Sequence, residues 1–256
     1  MLRSKVSALL RLTAVCAAAA TTVAVQAATV NIISAPLVGS LPTGNISYSG
    51  YTAAGTNFPA FSATGLAAEE FLGTVTNAPG FNGNYWMFCA ELYQQVTGSS
   101  SAYSVFSAPG TYTGFNASGT NGWGANAAAI TTNIGKLLSF VNVGGFTTTL
   151  QAAAMQLAIW ELIYESPTNP NNSPYSVSTG LFQTTGFSGA TGQANTWLNF
   201  LFANSSTLTA TGFIIASEPD RQDVIGIPVP EPASYALVIL ALGAAGMSSR
   251  RAGSMR

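Results

Sequence analysis

The chain has 256 residues, enough to bury a core without metal or disulfide support, and its 11% aromatic content exceeds that of a polar disordered spacer. Only 7% of residues are charged, and between Arg11 and Arg250 nine acidic residues face Lys136 and Arg221 alone, a net charge of about −7. No basic stripe remains to hold a phosphate backbone, so nucleic-acid binding is excluded, and the absence of histidine removes Ser-His-Asp triads, Cys-His pairs and histidine zinc sites.

Arg3, Lys5 and Arg11 form a positive n-region before an apolar, Ala-rich run from Leu12 to Val25. Val25-Gln26-Ala27 places small or compact residues three and one positions before a break, so residues 1–27 read as an export signal cut after Ala27. Residues 28–217 then read as one extracytoplasmic α+β domain, antiparallel and β-rich, with helices packed at one side or end. Thr29 to Ile33 and Ile46 to Tyr51 have the composition of short strands, and Ala67 to Leu72 that of a short helix. The aromatic run from Asn84 to Tyr93 predicts a buried strand, and Ser101 to Phe106 and Thr111 to Phe115 extend the sheet.

Past a loop at Gly119 to Ala125 the period changes. Ile130, Ile134, Leu137, Leu138 and Val141 mark an amphipathic helix over 127–143, closed by Gly144-Gly145. A second helix spans Leu150 to Tyr164, with Met155, Ile159, Leu162 and Ile163 on its apolar face, and Glu165-Ser166-Pro167 stops it. Residues 167–191 read as a long loop with room for a short strand or turn, Ala194 to Phe202 as a third helix, Thr211 to Ala216 as a late strand, and 218–227 as linker.

No Gly-rich loop carries the Lys-Ser/Thr ending that grips phosphate, and no Asp-rich loop suits calcium, so neither cofactor nor metal is expected. Glu91 and Glu161 could serve as a glycosidase-like carboxylate pair if their elements face each other. Tyr51, Tyr112 and Tyr175 could stack on sugars, or simply pack.

Cysteine says more. Cys16 leaves with the export signal, so Cys89 is the sole cysteine of the mature chain and an intramolecular disulfide is impossible. Three accounts stay open: a small core side chain among Trp86, Met87, Phe88 and Leu92; pairing with a second molecule; or an internal thioester. The last draws on Gln156, a carboxamide inside the strongest helix, one turn from Ala152 and Trp160. Phe88-Cys89-Ala90 followed by Gln156-Leu157-Ala158-Ile159-Trp160 resembles the thioester domains of bacterial surface adhesins. That resemblance covers about residues 84–164. It implies a Cys89–Gln156 bond sheltered by Phe88 and Trp160, and covalent attachment to a surface amine or hydroxyl, with no enzymatic turnover.

Residues 228–256 form a separate tail. Pro230-Glu231-Pro232 precedes fifteen apolar residues, Ala233 to Met247, and then Arg250-Arg251. The order of elements resembles the PEP-CTERM sorting signal. It implies export across the inner membrane of a Gram-negative bacterium, an exosortase-type sorting enzyme as partner, and delivery to the cell surface or an exopolysaccharide matrix. The apolar stretch predicts a short membrane-type helix making transient membrane contact. Taken together, the sequence predicts a surface or matrix protein. It is a covalent adhesin if the thioester forms, a non-covalent structural protein if Cys89 is inert, or a glycoside hydrolase if Glu91 and Glu161 meet.

Overall fold

The computed structural model describes residues 28–33, 40–53, 56–94, 101–109, 116–117, 120–121, 127–165, 175–218 and 221–229. Thirteen strands and three helices occur among them: β1 (Ala28–Ile33), β2 (Thr43–Tyr48), β3 (Tyr51–Ala53), β4 (Thr56–Phe58), β5 (Phe61–Ala67), β6 (Phe71–Thr76), β7 (Gly83–Cys89), β8 (Ser101–Ala108), β9 (Asn116–Ala117), β10 (Thr120–Asn121), α1 (Ala127–Phe140), α2 (Thr149–Tyr164), β11 (Phe182–Thr185), α3 (Gly189–Ala203), β12 (Phe213–Glu218) and β13 (Arg221–Pro228). A 3-10 turn, Val143–Gly145, follows α1.

Six strands close into an antiparallel barrel in the order β1-β6-β7-β13-β12-β8, with β8 returning to β1. Alternation along each strand divides its residues between two cores. Val30, Val75, Tyr85, Met87, Ile214 and Val224 fill the barrel, while Phe88, Phe213, Ile215 and Ile225 face outward into the larger helical core. The interior is tight enough that a β carbon on Gly73 would overlap the Met87 side chain.

On the far side of the helices lies a three-stranded sheet, β11-β2-β5, whose Ile46, Tyr48 and Phe182 join the same helical core. Helix α2 runs between the two β layers. Every residue from Ala152 to Tyr164 is buried, the signature of a helix apolar around its whole circumference. Its start is fixed by capping: Thr148 Oγ1 accepts the Gln151 N–H at 3.3 Å, and Gln151 Oε1 accepts the Thr147 N–H at 3.0 Å. At the other end, Tyr164 lies 5.1 Å from the Tyr48 ring, and Glu165 Oε2 accepts the Leu181 N–H at 2.6 Å.

The architecture corrects the expected fold in several places. The expected antiparallel sheet with helices at one side or end is a closed barrel with helices between it and a second sheet; it closes because β8 pairs β1 and β13 inserts beside β7. Alternation alone cannot distinguish an open sheet from a closed one, since each strand's pattern is the same in both. Residues 221–227 are not linker but most of β13, a strand paired on both sides. Ala67 to Leu72 is not helical: Ala67 ends β5 and Phe71 begins β6. The short strand allowed for within 167–191 is β11, and α3 begins at Gly189, five residues ahead of the expected Ala194. The expected membrane-type helix is also corrected: no described helix is long and apolar enough to cross a membrane. Residues 233–247, which prompted that expectation, lie outside the described residues, as do 1–27 and 111–115.

Candidate functional site

Strand β7 ends at Cys89, and its ladder with β6 ends two residues earlier, at the Phe71–Met87 pair. On its other edge β7 stays paired to β13, with Cys89 opposite Val224 and the Ala90 N–H donating to Asp223 O at 2.9 Å. The N–H and C=O of Cys89 therefore point toward the edge that β6 has vacated. A side chain fills the vacancy: Gln156 of α2 accepts the Cys89 N–H at Oε1, 2.7 Å away, and donates from Nε2 to the Cys89 carbonyl at 2.7 Å. The carboxamide thus substitutes for a strand residue, satisfying both of its own polar ends and both of the strand's. Gln156 is 1% exposed.

The same helix grips the chain again two turns later. Tyr164 Oη accepts the Leu92 N–H at 2.8 Å. A helix advances about 12 Å in eight residues and an extended chain about 10 Å in three, so positions 156 and 164 fall beside positions 89 and 92. Phe88 and Trp160, expected to flank the sulfur, are both buried in the helical core. The Trp160 indole N–H is buried without a hydrogen-bond partner among the described residues.

Cys89 is a free, half-buried thiol packed against that core. Burial raises its pKa well above the ordinary thiol range, and Glu69 and Glu91 add to the effect. The sulfur is therefore protonated at neutral pH.

Glu91 and Glu161 are not brought to common partners. Glu91 Oε2 accepts the Asp223 N–H at 3.3 Å beside β13, whereas Glu161 Oε1 accepts the Ser176 N–H at 2.7 Å on the segment before β11. Burial, reinforced by Asp223, raises Glu91 to about 8; burial, reinforced by Glu165 and opposed by the Ser176 bond, raises Glu161 to about 9. Among the aromatics, Tyr175 is buried with its hydroxyl bonded to Asn133, Tyr51 is half-buried against the core, and Tyr112 lies outside the described residues. No group of three metal-ligating side chains occurs among the described residues.

β13 carries the chain out of the barrel at Pro228, and the tail begins there. Residues 228–252 match the PEP-CTERM protein-sorting motif. The protein is exported to the cell surface or extracellular matrix. An exosortase-type sorting system is accordingly its partner. Pro230, Glu231, Pro232, Arg250 and Arg251 fall within the matched tail but outside the described residues. No curated protein and no solved structure matches the chain.

One neighbour of the site gave no sequence signal: Gln222, whose Nε2 donates to Glu91 O at 2.9 Å, lies in a segment read as linker. Tyr164 could have been found: it repeats the helix face of Gln156 and Trp160 at four-residue steps.

Proposed function

We propose that this exported protein is a covalent surface adhesin in which Cys89 and Gln156 condense to an internal thioester. The observation that carries the reading is the Gln156 carboxamide held by two 2.7 Å hydrogen bonds against the backbone of Cys89, in a buried setting. Sγ is two bonds from the Cα that those hydrogen bonds bracket. Attack of Sγ on Cδ makes the C–S bond; the Cδ–Nε2 bond breaks, and the thiol proton leaves with Nε2 as ammonia. The Cys89 N–H already donates to Oε1, where negative charge develops in the tetrahedral intermediate. An incoming amine or hydroxyl then takes the acyl group, breaking C–S and returning the proton to sulfur. The raised thiol pKa makes sulfur a reluctant leaving group and favours a long-lived linkage.

The same geometry favours a second reading. Gln156 completes a hydrogen-bond ladder, a structural task that needs no reaction, and the protein would then be a non-covalent matrix component with an inert Cys89.

Intact mass of the purified mature protein separates the two. The thioester form is lighter than its sequence by one ammonia, gains one methylamine on treatment with that base, and then exposes a titratable thiol. Cys89→Ala and Gln156→Ala each abolish the deficit. A full sequence mass with the thiol free in fresh protein leaves the structural reading.

A further inference from the structure

The sorting tail begins inside the fold. The matched motif starts at Pro228, and Pro228 is also the last residue of β13, paired with Tyr85 of β7. One further residue is held: the Val229 N–H donates to Asn84 O at 2.9 Å. Pro230-Glu231-Pro232 follows at once. Three residues reach at most about 11 Å in any conformation, the width of a single helix. An enzyme that grips them therefore comes into contact with the domain around Pro228.

Strand β13 is not free to be drawn out as loose chain. It is paired on both sides, and five of its eight residues are buried. Releasing it would open the barrel and strip Cys89 of its neighbour Val224. The sorting enzyme accordingly meets a folded surface.

That surface has a definite character. Beside Pro228, the start of β12 and the end of α1 frame an open groove lined by Phe140, Asn142, Gly212 and Ile227. Phe140 carries the groove onto α3, its ring 4.7 Å from that of Phe200. Phe200 is 48% exposed, more than any other large apolar side chain among the described residues. Aromatic side chains ringed by polar ones are common anchors of protein interfaces. Exposure alone names no partner; here the partner is named by the motif, which starts at a residue of the groove itself.

We infer that the groove at Pro228, with the adjoining Phe140–Phe200 pair, is the docking surface for the exosortase-type sorting enzyme, which recognises the folded domain as well as the linear tail. Docking is independent of any reaction at Cys89, which lies at the other end of β7.

Photo-crosslinking in the bacterium that makes the protein tests the surface. The full-length chain carries a photoreactive phenylalanine analogue in place of Asn142, Phe200, Ala233 of the tail, or Ser62, which is exposed on β5. Adducts with the sorting enzyme, identified by mass spectrometry, are expected from Asn142, Phe200 and Ala233 and not from Ser62. Phe200→Ser lowers both the Asn142 adduct and the surface-delivered fraction about fivefold. Phe200→Tyr, which keeps the ring, and Cys89→Ala leave both unchanged. Unchanged circular dichroism of purified Phe200→Ser ensures that its loss is not unfolding. The inference is overturned if Ala233 gives an adduct while Asn142 and Phe200 give none, or if no position does. It is equally overturned if Ser62 labels as strongly as Asn142, the mark of an enzyme that receives the chain before it folds, or if Phe200→Ser is delivered like the wild type.

Discussion

Gln156 holds Cys89 by its backbone: one carboxamide accepts the cysteine's N–H and donates to its carbonyl, each bond 2.7 Å long, across 67 residues of sequence. The pair therefore has a structural value separable from any reaction of the sulfur.

That value is measurable where no thioester can form. In a Cys89→Ala background, Gln156→Leu strands a buried N–H and a buried C=O at the vacant strand edge. We expect a further loss of about 2–6 kcal/mol, from an unsatisfied-group cost of about 1–3 kcal/mol each. Urea unfolding of single and double variants gives the difference. A loss within about 0.5 kcal/mol, the level of an ordinary surface change, would show that water or another group takes over the edge.

Tyr164→Phe isolates the second grip of α2 on the chain after β7. The ring contacts with Tyr48 and Phe182 survive, while the Leu92 N–H loses its acceptor. The expected cost is about 1–3 kcal/mol. Faster hydrogen exchange at the Leu92 amide is the specific readout, beyond the shift in the unfolding midpoint.

Stability should fall as the solution is made alkaline. Burial raises Glu70 and Glu91 to about 8 and Glu161 to about 9, from an ordinary value of 4.5. Between those limits the folded protein binds protons that the unfolded chain has released, so unfolding free energy decreases with pH. The contribution is complete below about 4.5 and is lost as pH rises through 8 to 9, with a slope of up to about 1.4 kcal/mol per pH unit for each group. Glu161→Gln keeps the oxygen that accepts from Ser176 and removes one titrating group. Its denaturation midpoint, followed from pH 5 to 9, should fall less steeply than that of the wild type; an identical slope would mean that Glu161 is ionised in the fold.

Gly73→Ala tests how full the barrel is. The added methyl overlaps Met87, and overpacking of this kind costs about 1–3 kcal/mol. Met87→Val removes the overlapping chain, so the double variant should recover part of the loss. Thermal unfolding of the two single variants and the pair gives the coupling energy.

Much of the helical layer was readable. Apolar spacing set α1 to begin at Ala127 and placed α2 to end at Tyr164, because a 3.6-residue period is local and needs no knowledge of the partner. It underestimated α2, which meets β layers on two sides and is buried all round. Strand β13 escaped because Arg221, Gln222 and Asp223 look like linker residues. In the fold Gln222 and Asp223 are buried at the end of the barrel, where Glu91 and Glu218 supply their partners.

The sequence by itself determined the fate of the chain and the chemistry within its reach. A sorting tail is read in linear order by its recognising enzyme, and a chain with no histidine and two cysteines, one of them inside the expected export signal, has few reactive options. Only the tertiary structure decided that the sheet closes, that 221–228 belongs to it, and that β6 stops short of Cys89 so that a glutamine from α2 takes the vacant edge. Those are facts of pairing between distant segments. Strand alternation is the same whichever neighbour a strand finds, so nothing local in the sequence records them.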